Sequence, residues 1–219
     1  MENMQRHFHE LDELGYTTLE DLLTSNQVEE AIVALEEVYE SEKNVVSLHE
    51  PKTKRTFNFT SRAEISRQII QIPRLVACME YPLESDYILS DMEARSPMKG
   101  VSSQGLHRDG GTFIPNPSYN VHSILPLAAQ PMFALSEFTA NKGPTRFVPG
   151  SHISNIDPTD VTPEEKYLFT CQPGTVLICD NRLVHGDGTN TTDEIRYSVQ
   201  GFCCRKYIKP FCDHTRSIP

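Results

Sequence analysis

The sequence lacks the features that would assign it to several common classes of protein. Its six cysteines form no C-x-x-C pair, so zinc-ribbon and thioredoxin-like folds have no support. No stretch approaches the ~18 consecutive apolar residues of a membrane span, and no apolar signal region follows Met1. Basic residues are scarce, since 20 Lys and Arg stand against 30 Asp and Glu for a net charge of −10. We therefore expect a cytoplasmic protein with neither a nucleic-acid nor a membrane partner.

The second part of the chain, residues 85–210, has the pattern of an antiparallel β fold. Short apolar runs alternate with Gly, Pro, Asn and Asp turns, which is typical of a sandwich or barrel. Length and composition favour a single domain over residues 1–219. The candidate strands, about as many as in a double-sheet jelly roll, are residues 86–93, 98–107, 121–127, 131–137, 146–149, 174–179, 184–185 and 195–204.

Helix signals are concentrated in residues 1–84, which we expect to be mostly helical. Asn26 with Glu29 predicts a capping box at the start of one helix. Ser61 with Glu64 predicts a second capping box, which opens a helix over residues 63–72. Proline at position 73 should bend or end that helix.

Two histidines and one carboxylate are the most informative feature of the chain. His107 and Asp109 are two residues apart, so on an extended segment their side chains face the same way. His185 follows a turn and a buried strand. Two imidazoles and one carboxylate suit an open non-haem Fe(II) site. H-x-D alone is weak evidence, because a backbone carbonyl can also satisfy a structural histidine. Gly105 predicts a close backbone approach beside His107.

Arg196 lies eleven residues beyond His185. A guanidinium is a planar fork that matches a carboxylate and stays charged. Ser198 is two residues further on and shares its face of an extended strand. Without the preceding histidine, a surface arginine on a strand would be the better interpretation.

In combination, these stretches resemble the phytanoyl-CoA dioxygenase family of Fe(II)- and 2-oxoglutarate-dependent oxygenases. The matching residues are 104–109, 141–152, 174–180 and 185–198. The resemblance extends over nearly the whole chain. It implies a double-stranded β-helix, which is a cupin-like jelly roll, with N-terminal helices packed on one sheet.

The resemblance also implies roles for the motif residues. His107, Asp109 and His185 would hold Fe(II). Relatives that halogenate replace the carboxylate with Gly or Ala, so Asp109 favours oxygenation. The implied enzyme uses O2 and 2-oxoglutarate, releases succinate and CO2, and oxidises, most simply by hydroxylation, a C–H bond of a small metabolite, possibly in secondary metabolism.

The resemblance further implies that Arg196, helped by the Ser198 hydroxyl, binds the distal carboxylate of 2-oxoglutarate. Gln104 would contact the other end of the cosubstrate. Asp187, which lies between two glycines, is interpreted as a solvated turn residue. We expect a small-molecule substrate and a monomer or homodimer. Residues 44–58 are a candidate lid. Candidate substrate-lining residues, for each of which a structural or surface role is an alternative, are Tyr87, Met98, His122, Phe133 and Arg182.

Two other interpretations stay open. The first is a cupin-like metalloenzyme that does not use 2-oxoglutarate, against which Arg196 and Ser198 argue. The second is a non-catalytic family member that acts as a binding or partner subunit. The complete set of three candidate ligands argues against that interpretation.

Overall fold

The structure is a computed structural model that describes residues 4–45, 51–109 and 125–217. Helices and strands alternate in the first part of the chain, and strands dominate the rest. In chain order the elements are α1 (Met4–Leu14), β1 (Tyr16–Leu19), α2 (Ser25–Glu42), β2 (Thr53–Thr56), α3 (Glu64–Ile70), α4 (Pro73–Leu83), β3 (Ile88–Pro97), β4 (Ala128–Ala134), β5 (Thr145–Phe147), β6 (Tyr167–Leu168), β7 (Val176–Asp180), β8 (His185–Asp187), β9 (Ser198–Cys204) and α5 (His214–Ser217).

Two antiparallel sheets form the body of the protein. The large sheet has the strand order β1-β7-β4-β9-β3-β2, and the small sheet has the order β6-β5-β8. Leu177 of the large sheet and Phe147 of the small sheet belong to one apolar cluster. The small sheet therefore covers one face of the large sheet.

The alternation of side chains along the strands sorts residues to the two faces of the large sheet. On β7, Val176 and Ile178 pack in the apolar core that includes residues of α1–α4, whereas Leu177 faces the small sheet. On β9, Val199 packs with the helices, whereas Gln200 borders a cavity on the opposite face. The helices thus cover the outer face, and the inner face is left for a functional site.

The N-terminus of α2 differs from the prediction. Its cap is Thr24, whose hydroxyl accepts a hydrogen bond from the Gln27 backbone N–H at 3.3 Å. The Gln27 side chain in turn accepts from the Thr24 backbone N–H at 3.0 Å. Asn26 and Glu29 lie inside the helix. Both residue pairs have the spacing of a capping box, so the sequence pattern alone does not separate them.

The predicted helix ends at Ile70, shortly before Pro73, and Pro73 also begins the next helix. It occupies the first turn of α4, where its missing N–H has no helical partner to lose. Helix α3 begins at Glu64 with Ala63 as a cap that makes no side-chain hydrogen bond. The capping box predicted between Ser61 and Glu64 is therefore wrong.

Other differences concern strands. β1 and β2, which lie in the part predicted to be mostly helical, form the two edges of the large sheet. Residues 98–106 form no regular strand, and His107 makes a single antiparallel bridge with His185. Residues 110–124, which include most of a predicted strand, lie outside the described residues. In the parts that are described, no helix combines the length and apolar content needed to cross a membrane.

Candidate metal centre and cavity

The three predicted metal ligands lie together on the inner side of the fold. Asp109 Oδ1 lies 3.4 Å from His107 Nε2, and Asp109 Oδ2 lies 3.2 Å from His185 Nε2. The candidate ligand atoms are all within 4.8 Å of one another. Within the described ranges, no other group of three or more His, Cys, Asp or Glu side chains has this arrangement. The donor set fits Fe(II) with open coordination positions.

Backbone carbonyls orient both imidazoles. His107 Nδ1 donates to the Gly105 carbonyl oxygen at 2.9 Å, and His185 Nδ1 donates to the Leu183 carbonyl oxygen at 3.0 Å. A proton on Nδ1 leaves Nε2 with its lone pair, which is the form that binds a metal. The two histidines are also joined by backbone hydrogen bonds of 2.9 Å in each direction.

Gln130 of β4 supports the carboxylate and was not predicted as a site residue. Its side-chain amide donates to Asp109 Oδ2. Burial raises the pKa of Asp109, but the neighbouring His107 and His185 side chains and the Gln130 amide outweigh burial and hold that pKa well below its usual range. Asp109 is therefore ionised and ready to bind a cation. The only sequence signal for this role is that Gln130 is the one polar residue in the otherwise apolar run Ala128–Ala134.

A cavity of about 570 Å³ opens beside these ligands. Among the described residues, its wall includes charged side chains at alternate positions of β3, namely Asp91, Glu93 and Arg95. Arg55 of β2 donates to Glu93 at 2.8 Å. A strand with charged residues at every second position has one polar face. This alternation in β3 could have predicted from the sequence that the strand lines a polar cavity.

Arg196 is fully buried, so the interpretation as a surface arginine is wrong. Its Nη1 donates to the Gly143 carbonyl oxygen at 2.6 Å and to Asp187 Oδ1 at 3.2 Å. Its Nη2 donates to Ser198 Oγ at 3.2 Å, and the Phe138 ring centroid lies 4.7 Å from the guanidinium carbon. Neither Arg196 nor Ser198 is among the described residues that line the cavity.

Asp187 stands between Arg196 and the cavity, which corrects its interpretation as a solvated turn residue. It is only 8% exposed and ends strand β8, so the alternation of the strand places it inside with His185. Its Oδ2 lies 3.4 Å from Arg95 Nε. Burial raises the pKa of Asp187, but the charges of Arg196 and Arg95 outweigh burial and lower it. Gln104, which also lines the cavity, accepts from the Asp187 backbone N–H at 3.3 Å.

Of the residues predicted to line a substrate pocket, those that the structure describes are not in the lining of this cavity. Phe133 and Tyr87 pack in the core between the large sheet and the helices. Arg182 pairs with Asp180 at 2.6 Å and is buried. Met98 is not among the described residues that line the cavity. His122 lies outside the described residues.

A sequence model of the phytanoyl-CoA dioxygenase (PhyH) family matches residues 11–198. The chain belongs to this family. The match covers the three candidate metal ligands as well as Arg196 and Ser198. The resemblance drawn from the sequence motifs is confirmed.

Individual relatives agree with this family assignment. The dioxygenase trt7 of Aspergillus terreus is 28% identical over 167 residues, which cover 74% of this chain and 58% of the relative. This chain thus spans less than two thirds of that relative's length.

Two solved structures show the fold. HygX from Streptomyces hygroscopicus, with nickel and 2-oxoglutarate bound, has a TM-score of 0.77 at 16% identity, over 95% of this chain and 90% of that one. The epimerase SnoN, in complex with Fe3+, alpha-ketoglutarate and nogalamycin RO, has a TM-score of 0.71 at 19% identity, over 92% and 83% of the two chains. The predicted cupin-like jelly-roll fold is confirmed.

Proposed function

We propose that this protein is an Fe(II)- and 2-oxoglutarate-dependent oxygenase that oxidises a C–H bond of a small molecule. The observation that carries the proposal is the convergence of His107, Asp109 and His185, with both imidazoles oriented by backbone carbonyls. When bound, iron and 2-oxoglutarate supply an oxidation in which O2 is consumed and succinate and CO2 are released. Hydroxylation is the simplest product outcome.

The chain's own residues hold and orient the reactants. His107, Asp109 and His185 bind the metal, and Gln130 keeps the carboxylate turned towards it. Gln104 borders the cavity next to β8, where it can contact the cosubstrate. At the far end of the same site, the buried guanidinium of Arg196 hydrogen-bonds to Ser198 and pairs with Asp187, which lines the cavity.

The cavity supports a small-molecule substrate. Its volume of about 570 Å³ lies within the roughly 300–1,000 Å³ typical of small-molecule sites. SnoN, which shares the fold, was solved in complex with nogalamycin RO. We propose a small metabolite, handled in secondary metabolism, as the substrate class.

The test is a measurement of succinate formed from 2-oxoglutarate under air. The protein is loaded with Fe(II) and screened with and without members of a metabolite library. We expect Fe(II)-dependent succinate formation that one class of metabolite stimulates, and none from the His185→Ala variant. The absence of succinate from a protein with a full complement of iron, in the presence of every compound, would contradict the proposal.

A metalloenzyme that does not use 2-oxoglutarate is the second candidate. One observation favours it: Arg196, the residue assigned to the cosubstrate, already pairs with an internal carboxylate, Asp187. Binding of 2-oxoglutarate to the metal-loaded protein separates the two candidates. A metalloenzyme of this second kind would convert its substrate at the same rate whether or not 2-oxoglutarate is present.

A further inference from the structure

Arg95 lies where a ligand in the cavity can reach it. It is on the inner face of β3 and lines the cavity, with 14% of its side chain exposed. Next to it, Ala94 of β3 pairs with Val199 of β9, and Ser198 Oγ donates to the Arg95 carbonyl oxygen at 2.8 Å. This register brings Arg95 alongside the first residues of β9, close to Arg196. The two arginines contact different oxygens of the Asp187 carboxylate, Arg95 at Oδ2 and Arg196 at Oδ1.

Asp187 would hinder an anionic ligand if Arg196 were its only counter-ion. Asp187 lines the cavity, whereas Arg196 does not. A carboxylate that enters the cavity meets the like charge of Asp187 before it meets Arg196. Like charges placed together in a poorly solvated site are strongly unfavourable. A pair formed by Arg196 and Asp187 alone has no net charge with which to attract a second carboxylate.

Arg95 changes this charge balance. The group of Arg95, Asp187 and Arg196, here called the arginine cluster, has two positive charges and one negative charge, so its net charge is +1. The neighbouring acid Glu93 accepts hydrogen bonds from Arg55 at 2.8 and 3.3 Å, which gives that acid a counter-ion of its own. The three side chains of the arginine cluster therefore contribute a net charge of +1 to a cavity wall that the carboxylate of Asp91 also lines.

On the basis of the proposed function, we propose that Arg95 is a cosubstrate-binding residue. It offsets Asp187, and its guanidinium meets the distal carboxylate of 2-oxoglutarate at the cavity wall. Arg196 acts from behind Asp187 and fixes its position. The binding site for the distal carboxylate is thus the whole arginine cluster rather than Arg196 alone.

The test is a double-mutant cycle read by equilibrium binding, without turnover. The native protein, Arg95→Met, Asp187→Asn and the double variant are each loaded with Ni(II) and titrated with 2-oxoglutarate by calorimetry under argon. Metal content and circular dichroism are recorded for all four proteins. 2-Oxobutyrate, a keto acid without a distal carboxylate, is the control ligand.

We expect Arg95→Met to weaken 2-oxoglutarate binding at least about 30-fold, because it leaves Asp187 and Arg196 as a neutral pair. Asp187→Asn should bind at least as tightly as the native protein. The double variant should regain affinity to within about tenfold of native, because its net charge is again +1. Binding of 2-oxobutyrate should change less than threefold in every variant.

Other results separate the failure of this inference from the failure of the proposed function. Native affinity for 2-oxoglutarate in Arg95→Met would overturn the role of Arg95 while the proposed function stands. If the Ni(II)-loaded native protein fails to bind 2-oxoglutarate at all, the proposed function fails, and the inference fails with it.

Discussion

The two ends of the cavity are built on different principles. At the metal end, neutral backbone carbonyls of Gly105 and Leu183 orient the histidines, and Asp109 brings the only formal charge among the three ligands. At the other end, the arginine cluster consists of three charged side chains that pair with one another. Arg95 is on β3, Asp187 is on β8, and Arg196 lies just before β9. Local backbone geometry therefore sets the metal end, whereas charge balance sets the arginine end.

This difference predicts how each end responds to mutation. A substitution at the metal end should change metal affinity and leave the fold intact, since its ligands are partly exposed. A substitution in the arginine cluster should change anion binding and stability together, because an uncompensated buried charge is costly.

The largest expected effect is at the metal end. His185→Ala leaves two ligands, so we expect no retained Fe(II) or Ni(II) after dialysis and no succinate formation. The circular dichroism spectrum should be unchanged, because the His185 side chain is 21% exposed and not a core residue. His9→Ala, an exposed histidine on α1, is the control and should retain the metal. Metal retention by His185→Ala would show that the three side chains are not the ligands.

The next largest effect is at the arginine end. Arg196→Ala removes a fully buried cation that holds the Gly143 carbonyl and Asp187, and it leaves a gap above Phe138. We expect the free energy of unfolding in urea to fall by about 3 kcal/mol or more. Binding of 2-oxoglutarate should weaken as well.

Metal content in the folded Arg196→Ala protein should stay at the native level. Arg196→Lys, which keeps the charge without the planar fork, should recover part of the lost stability. A variant that lost its metal but not its stability would reverse the proposed contrast between the two ends.

The sequence motifs named the three side chains that the structure groups at the metal end, although a long-range bridge joins His107 to His185. His107 and Asp109 share a face through a spacing of two residues, and a turn with a buried strand leads to His185. A close backbone approach does occur at the Gly105 carbonyl, but the missing Cβ that permits it is that of Gly186, since a Cβ at Gly105 would meet nothing within 4 Å. That contact joins segments far apart in the chain, and no spacing rule describes it.

The arginine end could not be predicted in the same way. Arg95 is on β3 of the large sheet and Asp187 on β8 of the small sheet, and the two meet because both side chains face the cavity. A one-residue shift of β3 would turn Arg95 to the helical face. The motif identified Arg196 by its distance from His185, but a motif does not show what the guanidinium contacts. Asp187 resembled a turn residue because of its flanking glycines, whereas the structure extends β8 through it.

A smaller effect tests the support of the carboxylate at the metal end. Gln130→Leu removes the amide that donates to Asp109, so we expect metal affinity to fall about 10- to 100-fold. Competition with a chromogenic chelator measures it. Gln200→Leu is the matched control, because Gln200 also lines the cavity from a strand of the same sheet. Equal losses in the two variants would mean that the hydrogen bond to Asp109 contributes nothing specific.

The smallest effect concerns the backbone that orients His107. A Cβ added at Gly186 would lie 2.9 Å from the Gly105 carbonyl oxygen, which is the acceptor for His107 Nδ1. Relief of this overlap requires a shift of the carbonyl, so Gly186→Ala should cost about 1 kcal/mol, a roughly fivefold loss of metal affinity. Gly105→Ala is the paired control, since nothing lies within 4 Å of its added Cβ. If Gly105→Ala weakened metal binding as much as Gly186→Ala, the loss would come from backbone stiffness rather than from the carbonyl. The metal end would then depend on flexibility instead of on a fixed backbone geometry.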